Sequence, residues 1–161
     1  MASRESTRAT AERYAQELGL TIIDELGYGV HGTVFSTDRQ SAIKVFERES
    51  AYLRERSVYL RLKRKGVTSV LGFSVPELID FNDALFVVEI GIVQPPFVLD
   101  FAGAYLDHPP EFSAEVLADD ELQRKDEFGE NWEIVKRLLR ELRKLGIYMV
   151  DINPGNIRFP G

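Results

Sequence analysis

The sequence predicts an α+β protein whose strands gather in its first half and whose helices follow. Three observations carry this. Runs rich in β-branched and aromatic residues recur at TIIDEL, TVFST, SAIKVF, LIDF and ALFVVEI, all before position 92. The glycines at 27, 29 and 32 make a strand–turn–strand unit of the first two runs. After QPPFVLD the texture changes to helices and loops, with the strongest apolar period over 132–145.

Each element has its own reason. Residues 6–18 set Ala11, Ala15 and Leu18 on one helical face, with Gly19 as the stop. The turn residues TDRQ separate TVFST from SAIKVF, and on that strand Ala42, Lys44 and Phe46 alternate with Ile43 and Val45. From 48 to 65, Tyr52, Glu55, Tyr59 and Leu62 follow a helical spacing that ends at Gly66. LIDF and ALFVVEI are expected to meet as a hairpin through Asn82-Asp83. In the helix over 132–145, Trp132, Ile134, Val135, Leu138, Leu139, Leu142 and Leu145 fall on one half of the surface and charged residues on the other.

The 161 residues suffice for one domain with a core, or for two very small lobes. A net charge of −6 argues against general nucleic-acid binding through a basic surface. The chain has no cysteine and two histidines, His31 and His108, which excludes thiolate chemistry and histidine-built metal sites. No apolar run reaches the length of a membrane span, and the N-terminus lacks a secretion signal, so a cytoplasmic protein is expected. Charge is uneven: nine acids stand against Arg124 and Lys125 between 107 and 130, and seven bases against three acids between 47 and 65. Solvated helix faces explain both runs, and a docking surface is the alternative.

The spacing of Gly27, Gly29 and Gly32 reads G-x-G-x-x-G. In a dinucleotide fold the third glycine would open a helix. Here it opens the β-branched run Thr33 to Thr37, so that reading fails and a phosphate-covering or plain hairpin remains. A strand lysine is ordinarily solvated. Lys44, though, follows a glycine hairpin, and Glu55 on the next helix could fix its ammonium while it touches phosphates. Near the end, Asp151 and Asn156 stand in D-I-N-P-G-N, either a simple turn or a pair that accepts a hydroxyl proton and ligates magnesium.

Taken together these motifs resemble the protein-kinase-like superfamily. Gly27 to Val34 match G-x-G-x-x-G-x-V, Ala42 to Lys44 match A-I-K, and Glu55 matches the helix glutamate. Tyr148 to Ile157 resembles the catalytic loop, with D-x-N-P-G-N closer to Rio-type and aminoglycoside-type kinases than to typical protein kinases. The resemblance implies a five-stranded antiparallel sheet with one packed helix at 20–91, after an N-terminal helix at 1–19. A truncated helical lobe would fill 92–161. It implies ATP held by the glycine loop and Lys44, with Val34 and Ala42 on the adenine, Val88 as gatekeeper, and the backbone of Glu89 and Gly91 binding the base. Asp151 would be the catalytic base and Asn156 the Mg2+ ligand.

The pattern also breaks. Met149 and Val150 replace the histidine and arginine of H-R-D, and Asn153 replaces the lysine that follows the catalytic acid. The sequence runs only five residues past Asn156, so no D-F-G acid follows it, and another carboxylate, from a partner chain for example, is expected. The two-faced helix over 132–145 suggests a stand-alone small protein rather than a cut fragment. Three functions follow as expectations. The first is a minimal serine/threonine-kinase-like phosphotransferase with weak or partner-dependent activity. The second is a nucleotide-binding pseudokinase acting through protein contacts, with a protein partner or a second copy on the surface left by the absent lobe. The third is a fold with no nucleotide.

Overall fold

The β-branched runs fold as strands because their side chains suit a pleated surface buried on both sides. The computed structural model describes residues 4–29, 31–92, 98–110, 114–150 and 152–159. Helix α1 (Arg4–Leu18) precedes β1 (Ile22–Tyr28), β2 (Gly32–Thr37) and β3 (Ser41–Phe46), and α2 (Glu49–Arg64) follows. Short strands β4 (Ser69–Val70) and β5 (Phe73–Ser74) lead to β6 (Leu78–Asn82) and β7 (Val87–Gly91). Next come β8 (Val98–Leu99), β9 (Tyr105–Leu106), α3 (Ala114–Phe128), a 3-10 turn (Gly129–Asn131) and α4 (Trp132–Lys144). Strands β10 (Ile147–Tyr148) and β11 (Ile157–Arg158) end the described chain.

Five strands form one antiparallel sheet in the order β1-β2-β3-β7-β6. Helices pack on both of its faces, not one. On the back, Ala11, Tyr14 and Ala15 of α1 bury against Phe35, Ile43, Val45 and Val87. The expectation of a single packed helix is thereby corrected, because the alternation that points Lys44 forward leaves an equally apolar row behind it. Leu18, expected on the buried face of α1, is 41% exposed.

On the front, Ala51, Tyr52, Glu55, Val58, Tyr59 and Leu62 of α2 are buried, as their spacing predicts. All of these but Glu55 join a cluster that runs through Phe46 and Val88 to Val135, Leu138 and Leu142 of α4. Ile134 lies outside that cluster, 40% exposed, although it shares the apolar half of α4. The β6–β7 hairpin is wider than the expected Asn82-Asp83 pair. Asn82 pairs with Val87 across a four-residue loop, and its Oδ1 accepts from the Ala84 and Leu85 N–H groups at 3.0 and 2.9 Å. Phe86, with φ of 56°, closes that loop in the left-handed region.

Small ladders tie the second half to the first. Strand β8 runs parallel to β5 and antiparallel to β11, and β10 pairs with β9. Two segments far apart in sequence, 98–99 and 157–158, are therefore direct neighbours. No described helix is long and apolar enough to cross a membrane.

Candidate functional site

Register, more than proximity in sequence, assembles the site. Gly27 pairs with Val34, Val34 with Lys44, and Lys44 with Val88, so four candidate residues form one row across four strands. Directly paired residues project to the same face of a sheet, so the row looks toward α2. Ala42, two residues before Lys44, is on that face as well, paired with Ile90.

Lys44 donates from Nζ to Glu55 Oε1 at 2.8 Å, and the two side chains are 11% and 3% exposed. The ammonium also lies 5.0 Å from the centre of the Phe46 ring. Burial pulls the Lys44 pKa down, but the charges of Glu55 and Asp100 outweigh it and the net shift is upward. For Glu55, burial pushes the carboxyl up and Lys44 only partly offsets it. The charged ammonium 2.8 Å away favours the ionised form of Glu55 against that burial. Of the three N–H donors of Lys44, one is spent on Glu55, and no other hydrogen-bond partner stands among the described residues.

The glycines divide into two kinds. Gly32 has φ of 154°, and a Cβ there would lie 2.0 Å from the Val45 carbonyl oxygen, so the chain itself demands glycine. At Gly27 and Gly29 an added Cβ meets nothing within 4 Å, so the packing of this chain gives no reason for glycine at either. The Gly29 N–H donates to the Gly32 carbonyl at 2.9 Å and closes the hairpin. At its tip, His31 Nε2 sits 3.4 Å from the place a Cβ on Gly103 would take. The glycine hairpin thus touches the loop that follows β8.

Glu89 faces the other way. Its carboxylate is fully buried behind the sheet, accepting from Tyr14 Oη at 2.8 Å, from Ser41 Oγ at 2.6 Å, and from Arg39 Nε and Nη2 at 2.8 and 2.5 Å. Burial raises its pKa, but these hydrogen bonds and the Arg39 charge prevail and hold it below the ordinary carboxylate value. Burial and the bond to Glu89 push the Tyr14 hydroxyl far up. At Gly91 the N–H donates to the Glu77 carbonyl at 2.8 Å, so that backbone donor, expected to meet a base, is committed within the sheet edge.

Asp151 lies outside the described residues. Asn156 is half-buried, its N–H donating to the Asn153 carbonyl at 3.0 Å and its carbonyl accepting from Asp100 N–H at 2.8 Å. Asn153 Oδ1 accepts from the Gly155 N–H at 2.8 Å. That last contact is the turn chemistry that D-x-N-P-G-N announces. Among the described residues no group of three or more histidines or acids is placed to hold a metal.

Asp100 went unnoticed in the sequence. It follows β8, and its charge acts on Lys44, Glu55 and Tyr59. Only the acid–aromatic step Asp100-Phe101 after an apolar strand marks it in the sequence.

No family model matches this sequence, and no curated protein matches it. Among solved structures, one match is the streptomycin–ATP–APH(2″)-IIa ternary complex, 15% identical over 83% of this chain with a TM-score of 0.43. The matched region spans 40% of that structure's chain.

Proposed function

We propose that this chain is a kinase-like nucleotide-binding protein that takes ATP on the front of its sheet, beneath the glycine hairpin. One observation carries the reading: the buried Lys44–Glu55 pair, with two ammonium donors left over, in one row with Gly27, Val34 and Val88. A satisfied structural ion pair seldom leaves its cation with spare donors in a buried place. Phosphate oxygens are acceptors of the kind those donors need. Gly27 and Gly29, where an added Cβ would meet no described atom within 4 Å, are where backbone could close over phosphates without a Cβ in the way.

In this reading Glu55 orients Lys44, and Lys44 holds phosphate oxygens. Val34 and Ala42 offer apolar contact to the base beside Val88. The Gly91 N–H is committed to Glu77 and Glu89 is paired in the sheet with both Ile43 and Asp80, so this reading gives the base its apolar contacts only. Asp151 would take the proton from an acceptor hydroxyl, and the Asn156 side-chain oxygen would face a magnesium ion. Bound magnesium would supply positive charge against the triphosphate. Mg2+ keeps waters and phosphate oxygens as most of its ligands, so few protein groups are needed to hold it beside a triphosphate.

A second reading, nucleotide binding without transfer, draws on Asn153. Where the kinase pattern has a lysine, this side chain caps its own turn and brings no positive charge to a transferred phosphate. Two measurements separate the readings. A thermal shift with ATP that is lost in Lys44→Ala is expected under both. Radiolabel transfer from γ-labelled ATP, abolished in Asp151→Ala, is expected under the first only. If no nucleotide raises the unfolding temperature, nucleotide binding is wrong altogether.

A further inference from the structure

We infer that Asp100, delivered by the strand ahead of α3, is the carboxylate that faces the divalent cation accompanying a bound nucleotide. This rests on the nucleotide-binding reading above and makes the acidic side of the site internal to one chain. The carboxylate expected from a partner chain for this role has a candidate within the fold. The fold supplies one from upstream instead.

The geometry is specific. Strand β11 begins just after Asn156 and lies antiparallel to β8, with Ile157 opposite Leu99. The next step of that ladder sets Asp100 beside Asn156, and the Asp100 N–H closes it on the Asn156 carbonyl at 2.8 Å. The acid and the amide residue of the candidate catalytic turn are thereby locked side by side, from opposite ends of the region that contains α3 and α4.

The loop holding the acid is itself fixed. Asp100 Oδ1 accepts from the Ala102 N–H at 3.0 Å, and the Ala104 N–H donates to the Phe101 carbonyl at 3.0 Å. Phe101 is fully buried with its ring edge-on to Tyr59, centroids 5.7 Å apart. Tyr59 is one helical turn from Glu55, so the loop is registered on the helix that orients Lys44. The second carboxylate oxygen of Asp100 has no partner among the described residues, and the residue is only half-buried. At Gly103 the same loop meets the tip of the glycine hairpin. Beside burial and the attraction within the pair, the charge of Asp100 raises the Lys44 pKa and opposes ionisation of Glu55, as a nearby anion must. The free oxygen of Asp100 is an acceptor that a cation accompanying the phosphates would satisfy.

The test uses the whole chain and ATP, with EDTA or with magnesium, followed by calorimetry and thermal unfolding. The native protein should bind ATP in EDTA and bind it about tenfold or more tightly with magnesium. Asp100→Asn, which keeps an acceptor for the Ala102 N–H, should retain the EDTA affinity and lose the magnesium increment. Retention of the increment in that variant overturns the inference, as does a native protein that binds ATP with no increment, although nucleotide binding then stands. A native protein that binds ATP under neither condition overturns both. If Asp100→Asn does not fold, Mn2+ added to the native protein with ATP should broaden the backbone amide signals of 99–103 and 155–157 before all others. Broadening elsewhere alone overturns the assignment.

Discussion

Glu55 and Glu89 are both buried carboxylates, one on each side of the same sheet, and each has one cation. They differ in saturation. Glu89 receives four hydrogen bonds from three side chains, which leaves it nothing to offer a ligand. Glu55 receives one hydrogen bond, from a lysine that still holds two donors. A closed network reads as architecture, and an open one reads as a site. Strand alternation turns Lys44 toward the candidate cleft, whereas Arg39, in the turn before β3, closes on Glu89 behind the sheet.

The contrast can be broken most forcefully at Glu89. Glu89→Ala strands Arg39, Tyr14 and Ser41 at once and should cost about 3–5 kcal/mol in denaturant unfolding. A loss under about 1 kcal/mol would mean the back network is not structural. Gly32→Ala, whose Cβ would collide with the Val45 carbonyl, should cost about 3 kcal/mol. On the open side, the double change Lys44→Met, Glu55→Leu should leave stability unchanged or raised by about 1–4 kcal/mol while removing any ATP-dependent thermal shift. A double variant that unfolds would make the front pair structural too.

Acid sharpens the same comparison. The folded state holds the Glu89 pKa below its ordinary value of 4.5, so its stabilisation is complete above that pH and fades as pH falls through the depressed value. Glu89→Gln should flatten the loss of stability below that pH, read by urea midpoints between neutral and acid buffers. The smallest effects come last. Tyr14→Phe should cost about 1 kcal/mol, and Gly27→Ala should change stability by less than about 1 kcal/mol while weakening nucleotide binding.

What the sequence made legible was local. β-branched alternation placed β3 at 41–46 and set Lys44 opposite Ile43 and Val45, because a period of two is written in neighbouring residues. The buried stripe of α2 was legible for the same reason. Long-range partners were not. Glu89 sat in a strand expected to lend only its backbone, and its burial depends on Tyr14, 75 positions away. Ile134 obeys the helical period of α4 yet lies exposed, because the period marks a half of the helix while the neighbours cover only part of that half. Asp100 was hidden by order: its neighbour Asn156 arrives only after two further helices, and nothing local to either residue announces the pairing.

The ladder between β8 and β11 also sets an order of events during synthesis. All five strands of the sheet are complete once residue 91 has emerged, whereas Asp100 finds its backbone partner only when 156 does. Contacts of such separation form late and slowly. A nascent chain should therefore own a folded, protease-resistant sheet well before Asp100 and Asn156 are locked side by side.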